Sequence, residues 1–398
     1  MKNDRNRDMP ENSRSEHSRS ELSGSELSRS EFSRSMRNGP SRKILRFIIS
    51  LAILLLMLFA GVMEFLTLTE YRPAERERAS VEPGGRELIG AGDSFTVVTW
   101  NCGYGALGDS ADFFMDGGKS VNTADEETVR LNIAKIANAL AEMRPNVVFL
   151  QEVDRDSDRS HGIEEVIELS NTLQQDYDMT YTSASAYNFN VRFVPFPIPP
   201  IGKVKSGLVT LSDALARDAE RIQLPVPFKW PVRLANFKRC LLVERLPLQN
   251  VDRELVLINL HLEAFDDGKG KEEQTRMLRE ILEEEAASGN YVIAGGDFNQ
   301  AFSNTDISAY PLQEGVWAPG HIDTSEFPDG WQCLMDPSVP TCRSLDKPYA
   351  GADKAAFQYY VIDGFIVSSN IEVKSVQTQD LGFVNADHNP VLMECVLK

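Results

Sequence analysis

The chain has 398 residues and 41 Lys and Arg against 59 Asp and Glu, a net charge of −18. Residues 1–46 hold 11 basic and 7 acidic side chains, leaving 30 and 52 in residues 47–398, a net of −22. A region that acidic repels a polyanion over most of its surface. This counts against a noncatalytic nucleic-acid module and makes a general nuclease less attractive than an enzyme for small or lipid substrates, although a local basic groove can survive an acidic whole.

Residues 13–35 repeat a Ser-Arg-Ser-Glu-apolar pentad with no helical period, a composition that buries too little surface to fold. Residues 1–43 are therefore expected to be a disordered tail. The run FIISLAILLLMLFAGVM at 47–63 is apolar or small throughout, and with its flanks the stretch 44–68 is long enough to span a bilayer. A polar leader of more than forty residues and the lack of a clear A-x-A site argue against a cleaved signal peptide. Arg37, Arg42, Lys43 and Arg46 precede the span, whereas Glu64, Glu70 and only Arg72 follow it closely. The positive-inside rule then places the tail in the cytoplasm and the remainder outside the cell. Residues 69–92, rich in charge, Pro and Gly, read as a linker, and 93–398 as one large domain.

Within that domain, polar side chains recur at the ends of short apolar runs. The strand at 95–100 delivers Asn101 in TWNCG, and VVFLQEVD at 147–154 places Glu152 just beyond a buried strand, a common position for a magnesium carboxylate. Residues 126–143 carry apolar side chains at 129, 133, 136, 137 and 140, the stripe of a helix packed on a sheet, and 271–288 reads the same way. The segment 188–207 alternates aromatics and prolines before a strand at 207–211. Its Arg192, Lys203 and Lys205 are candidate phosphate contacts and its aromatics can meet a lipid or a base, with a stiff surface connection as the plainer reading. The strand in LVLINLHLEAF at 255–265 ends in His261. In GGDFNQ at 295–300 a glycine pair is expected to end the strand, and Asp297 and Asn299, two apart, emerge on one side. Asp363 lies in YYVIDGFIVS at 359–368, and Asp387 and His388 in NADHNP at 385–390.

Each of these residues also has a plain structural reading: a turn cap for Asn101, an arginine partner such as Arg155 for Glu152, a buried backbone donor for Asp363. As an ordered set, however, they resemble the endonuclease/exonuclease/phosphatase superfamily over roughly residues 93–398, in a deoxyribonuclease-, neutral sphingomyelinase- or inositol-phosphatase-like, membrane-anchored bacterial form. The histidine of the HL motif favours those three branches over abasic-site endonucleases. The resemblance implies an α/β (α+β) fold, a four-layer sandwich of two mainly antiparallel β-sheets flanked by helices. It also implies phosphoester hydrolysis with Mg2+, or Mn2+, as cofactor.

In-line hydrolysis requires a metal, an activated water and a stabilised leaving oxygen. On that pattern Glu152 is the metal ligand, with Asn101 and Asp387 near the same ion. His388 is a base or phosphate contact oriented by Asp363, and Asp297 orients water or binds a second ion. Asn299 donates to a phosphate oxygen, and His261 contacts the phosphate or assists the leaving group.

Five cysteines, at 102, 240, 333, 342 and 395, are too few and too scattered for a disulfide framework or a zinc site. Cys102 and Cys395 read as core residues. Cys333 and Cys342 can bridge across LMDPSVPT in an extracellular domain, a pairing that spacing alone does not fix. The expected function is therefore a surface-displayed phosphodiesterase or phosphatase acting on a lipid headgroup or small phosphoester, with no protein partner. A nuclease is the alternative within the family, and a catalytically silent binding protein the alternative from another class. Retention of Glu152, Asp297 and His388 weighs against silence.

Overall fold

The computed structural model describes residues 40–398, so the Ser-Arg-Ser-Glu repeats lie outside the described residues. The described residues divide into two units, one ending at Glu64 and the other Phe65–Lys398. Helix α1 (Pro40–Leu68) carries the apolar run, and its stretch Arg42–Leu68 is long and apolar enough to cross a membrane.

In chain order the strands of the second unit begin with β1 (Arg76–Arg78), β2 (Ser80–Glu82), β3 (Ser94–Asn101), β4 (Val147–Asp154), β5 (Thr182–Val194) and β6 (Gly202–Ser212). They continue with β7 (Asp218–Gln223), β8 (Cys240–Pro247), β9 (Glu254–His261), β10 (Tyr291–Asp297), β11 (Gln300–Phe302) and β12 (Gly320–Ile322). The last six are β13 (Gln332–Leu334), β14 (Cys342–Arg343), β15 (Tyr359–Tyr360), β16 (Asp363–Val367), β17 (Ile371–Thr378) and β18 (Val391–Leu397). Three helices join them: α2 (Glu126–Met143), α3 (Glu165–Tyr177) and α4 (Lys269–Ala287).

Two seven-stranded sheets result, in the orders β1-β7-β8-β9-β10-β16-β13 and β17-β18-β3-β4-β6-β5-β2. Pairing is antiparallel except for β9 with β10 and β3 with β4. Val97, Val147 and Phe149 from one sheet meet Leu255, Leu257, Ile293 and Phe365 from the other in a dry layer between them. Ile133, Ile136 and Leu140 of α2, with Leu169 and Leu173 of α3, cover the outer face of β3 and β4 through Val98 and Leu150. Leu278, Ile281 and Leu282 of α4 cover Ile258, Val292 and Ala294 on the opposite face. The result is the four-layer sandwich expected from the sequence.

Helix α2 forms where its stripe predicts. Asp125 accepts a hydrogen bond from the Thr128 amide at 2.9 Å as its N-cap, and Arg144 (φ 49°) stops it before Pro145.

The sequence reading departs from the structure in two places. The segment taken as a linker is partly built into the sandwich: β1 pairs with β7 and β2 with β5, so its charges sit on edge strands, where they discourage further pairing. The glycine pair does not end its strand, because β10 runs through Gly295 and Gly296 to Asp297 with partners on both sides. A Cβ on Gly296 (φ 153°) would lie 1.9 Å from the Leu260 carbonyl oxygen, and one on Gly295 2.5 Å from the Phe365 ring, so close packing demands the glycines. The cysteine pairing that spacing left open is not formed: all five cysteines are free and buried. Cys333 belongs to the large sheet through β16, while Cys342 pairs in a separate two-stranded ladder with β15.

One polar cluster crosses the dry layer. Asn259 Nδ2 donates to the carbonyl oxygens of Leu150 (3.1 Å) and Val209 (2.9 Å), and its Oδ1 accepts from Gln151 Nε2 at 2.8 Å. Replacing Asn259 by Ala strips a donor from two buried carbonyls and one of the two acceptors of Gln151 Nε2, which keeps Thr99 Oγ1 at 3.2 Å. Each orphaned group costs about 1–3 kcal/mol. Equilibrium denaturant unfolding should show Asn259→Ala destabilised by at least about 2 kcal/mol, a loss far above that of an exposed Asn→Ala change.

Candidate active site

Adjacent strands of one sheet bring three predicted residues into a row. Asp297 at the end of β10 is in register with His261 at the end of β9 on one side and with Asp363 at the start of β16 on the other. The other sheet contributes the ends of β3 and β4, where Asn101 is in register with Gln151. The β4–β6 ladder shifts register between Leu150 and Val153, and Glu152 takes a left-handed backbone (φ 53°) there, turning its half-buried carboxylate toward the mouth of the sandwich. Asn101 Nδ2 spans the gap, donating to Asp297 Oδ2 at 3.1 Å and lying 3.5 Å from Glu152 Oε1.

The C-terminal pair enters from a loop that the sandwich holds firmly. Arg343 donates its amide to the Asp387 carbonyl at 3.1 Å, Asn389 donates its amide to the Thr341 carbonyl at 2.8 Å, and Trp100 Nε1 donates to the His388 carbonyl at 2.9 Å. His388 Nδ1 meets Asp363 Oδ2 at 2.9 Å, and its Nε2 lies 3.8 Å from Asp297 Oδ2. His261 Nε2 is 3.5 Å from the same oxygen. Asp297 Oδ1 accepts the Asn299 amide at 2.8 Å, whereas Asn299 Nδ2 donates to the Leu262 carbonyl at 2.9 Å. One N–H of the Asn299 amide thus braces the loop.

Gly103 explains the rest of TWNCG. It has φ 50°, and a Cβ there would lie 2.8 Å from Asp387 Oδ1, so glycine lets the β3 end approach that carboxylate. Tyr104 beside it lies under the Arg159 guanidinium, 3.6 Å from its ring centre, and Arg159 makes a buried two-pronged bond to Asp154 at 2.9 Å.

Burial drives the electrostatics. It pushes the Asp297 carboxyl up to about 7, with Asp363 adding to the shift, and the Asp387 carboxyl up to about 6, with Glu152 adding. Burial opposes the charged form of His388, yet the facing Asp363 carboxylate outweighs it and holds the imidazole well above the ordinary histidine value. His261 goes the other way, driven well below that value by burial, Arg239 and His388. One histidine is therefore a cation and the other neutral.

Asp116, absent from the predicted set, joins this cluster. Burial, then Asp387 and Glu152, push its carboxyl up to about 7. It lies in a short turn before α2, where FMDGGKS carries no strand-end signal. Thr341 and Arg343, which position Asp363 and the Asp387 loop, likewise gave no sequence cue.

The residues fit a divalent cation. Asp387 Oδ1 is buried without a hydrogen-bond partner. Glu152 and Asp387 add to the raised proton affinity of Asp116, and Glu152 adds to that of Asp387, a strain that a cation relieves. Two tighter triads, Asp297–Asp363–His388 and Cys342–Asp387–His388, have donor atoms within 4.8 Å of one another. Both depend on His388, whose Nδ1 is committed to Asp363, and an imidazolium has no lone pair to give. Burial also pushes the Cys342 thiol up to about 12, which keeps it protonated. Oxygen donors around Glu152 and Asp387 are the better cage.

Arg192, Lys203 and Lys205 are gathered elsewhere, along a cleft of roughly 520 Å³ that includes Tyr71 and Asp156 and none of the eight residues above. Lys203 and Lys205 pair with Asp156 at 2.7 and 3.2 Å.

Carboxylates and histidines converging from two sheets at one mouth of a four-layer sandwich define a metal-dependent phosphoester hydrolase. The model of the Endonuclease/Exonuclease/phosphatase family matches residues 98–383, and the chain belongs to that family. No curated protein matches it. Among solved structures, the endonuclease/exonuclease/phosphatase from Beutenbergia cavernae is 18% identical, with 76% of this chain and 72% of that one covered at a TM-score of 0.51. The Bacteroides vulgatus protein of the same description is 14% identical over 77% and 100% of the two chains (TM-score 0.48). Truncated Caenorhabditis elegans TDP2 is 15% identical over 76% and 97% (TM-score 0.46).

The His388–Asp363 pair makes a testable electrostatic prediction. In chelator, nitrogen NMR should find His388 still protonated well above the ordinary value near 6.5. In Asp363→Asn the largest group opposing burial is gone, and the value should fall. Because the folded value is raised, the stability contributed by the pair is fully present below the unfolded value and is lost as pH rises through the folded one. The Asp363→Asn protein should lack that loss in pH-dependent unfolding.

Proposed function

We propose that this protein is a membrane-anchored, magnesium-dependent phosphoester hydrolase that acts outside the cell on a lipid headgroup or another small phosphoester. The carrying observation is the cross-sheet contact of Asn101 with Asp297, flanked by one charged and one neutral histidine. Glu152, Asn101 and Asp387 hold the ion, with Asp116 beside them. When bound, Mg2+ offsets charge on the phosphoryl oxygens, and an all-oxygen cage suits it.

The remaining steps belong to side chains. Asp297, with a carboxyl near 7 and both oxygens fixed by Asn101 and the Asn299 amide, orients the attacking water and takes its proton. His388, kept cationic by Asp363, faces the phosphoryl group as a donor rather than as a base. Neutral His261 donates through Nε2 toward the leaving oxygen. Asn299 donates its second amide hydrogen to the phosphate.

The small-substrate reading rests on charge: residues 47–398 carry a net of −22, a poor surface for a duplex. Arg42, Lys43 and Arg46 before the span, against Glu64 and Glu70 after it, support an outward-facing catalytic domain.

Release of phosphate or headgroup by the full chain in detergent should be measured on nucleic acid, sphingomyelin, phosphoinositide and bis-p-nitrophenyl phosphate, with magnesium and with chelator. Chelator-sensitive turnover of a lipid or small ester is expected. Turnover confined to nucleic acid would overturn the substrate assignment. Glu152→Gln should abolish metal-dependent turnover, and Asp297→Asn and His388→Ala should each cost at least ~10²-fold in kcat. Impermeant labelling of intact cells should reach cysteines introduced at exposed positions after residue 70, and protection there would reverse the orientation.

A further inference from the structure

The cleft that gathers Arg192, Lys203 and Lys205 begins where the apolar helix ends. Its wall includes Thr69, Glu70 and Arg72, the residues directly after α1. Glu70 is clamped by Arg72 (2.9 Å), Arg233 (3.1 Å) and Lys238 (3.6 Å), so its charge is already spent on its neighbours. Asp156 is shared between Lys203 and Lys205, and Asp158 Oδ2 accepts the Lys203 amide at 2.7 Å. Cations therefore outnumber carboxylates here, in a domain whose overall balance is strongly acidic.

Two loops border this region, and both present apolar tips. Residues 195–201, between β5 and β6, expose Phe196 (68%) and Ile198 (86%), and the loop from β7 to β8 exposes Trp230 (56%) and Val232 (59%). Ile201 of the first loop and Ala235 and Phe237 of the second pack against one small core of Phe189, Val191, Val194 and Val204, so the bases of the two loops share a footing. Trp230 Nε1 lies 3.3 Å from Thr67 Oγ1, in the last turn of α1. Exposed Trp, Phe and Ile beside cations, tied to the end of an apolar helix, match the composition of a membrane–water interface.

We infer that the tips of these two loops sit in the bilayer interface beside the span, and that the cationic cleft behind them holds the phosphate of an anionic lipid as a docking site separate from the catalytic centre. The inference rests on α1 spanning the bilayer, as under the proposed function, and is independent of the substrate hydrolysed. The docked lipid fixes the orientation of the domain on its anchor, and no bond is made or broken.

The full chain is reconstituted in nanodiscs with chelator present, so that no lipid is consumed, and the emission attributable to Trp230 is isolated as the difference from Trp230→Phe. Bromine-labelled lipid should quench that difference. At low mole fraction, brominated phosphatidylglycerol should quench about fivefold more per mole than brominated phosphatidylcholine, the enrichment that roughly one uncompensated surface cation gives. Arg192→Gln/Lys203→Gln/Lys205→Gln should erase the preference and Asp156→Asn should strengthen it. Lys374→Ala, on β17 at the opposite edge of the sheet from β5, should leave it unchanged. No quenching of Trp230, equal quenching by the two lipids, or a preference that survives the triple change would overturn the inference. Alkaline carbonate extraction reads the span separately: release from the membrane overturns both span and docking, whereas retention without quenching overturns docking alone.

Discussion

The Asn259 amide, lying between the two sheets, is the contact on which the catalytic geometry depends. It stands two residues before His261 on β9, and its partner Gln151 stands one residue before Glu152 on β4. The dry layer elsewhere is built from Val, Leu, Ile and Phe, whose attraction is non-directional and tolerates sliding of one sheet over the other. Three directed hydrogen bonds from one side chain remove that freedom directly beneath the site. Asn101 to Asp297 repeats the device one layer higher. A centre assembled from both sheets needs such fixed register, since preorganised donors act only when held to within fractions of an ångström.

Above that clamp the site is deliberately short of positive charge. Asp297, Asp363 and Asp387 are all buried, and His388 is the cation that answers them, through Asp363. Asp363 Oδ1 and Asp387 Oδ1 still have no hydrogen-bond partner. Buried carboxylates left in this state are costly for folding alone, of order a few kcal/mol each. They become favourable once a divalent cation and a phosphoryl group arrive, so the strain belongs to function. The Asp363–His388 pair divides the labour by keeping one imidazole charged, and that charge helps to keep the second, His261, neutral.

Much of this was legible in the sequence, and what was missed has a common physical cause. Strand ends were readable because short continuous apolar runs stop at a polar residue, which located Asn101, Glu152, His261 and Asp297, while Asp363 stood out inside an apolar run, and the structure brings them together with Asp387 and His388. The glycines of GGDFNQ misled, because a glycine pair looks like a stop when it is in fact room for Phe365 and the Leu260 carbonyl, neighbours distant in sequence. Asp116 and Thr341 were invisible for the same reason: each acts through tertiary proximity, from segments without periodicity. Residues 69–92 looked like a linker because edge strands of three residues are too short to show alternation. Arg192, Lys203 and Lys205 were recognised as a basic group next to aromatics, but their place in a cleft away from the centre is set by loop packing that composition does not encode.

That separation of the basic cleft from the acidic centre matters for how the molecule uses its charge. A small anionic substrate approaching a site lined by Asp297, Asp387, Asp116 and Glu152 meets repulsion until the metal is in place. The cleft of Arg192, Lys203 and Lys205 shares no lining residue with that centre, so the headgroup phosphate inferred there would not compete for the metal. Surface electrostatics of this kind decays within a Debye length of about 8 Å at physiological ionic strength. Only groups next to the bilayer can therefore feel it, and Arg72 is four residues past the end of α1. If α1 spans the bilayer as proposed, attraction confined to that edge biases which face of the domain meets the membrane.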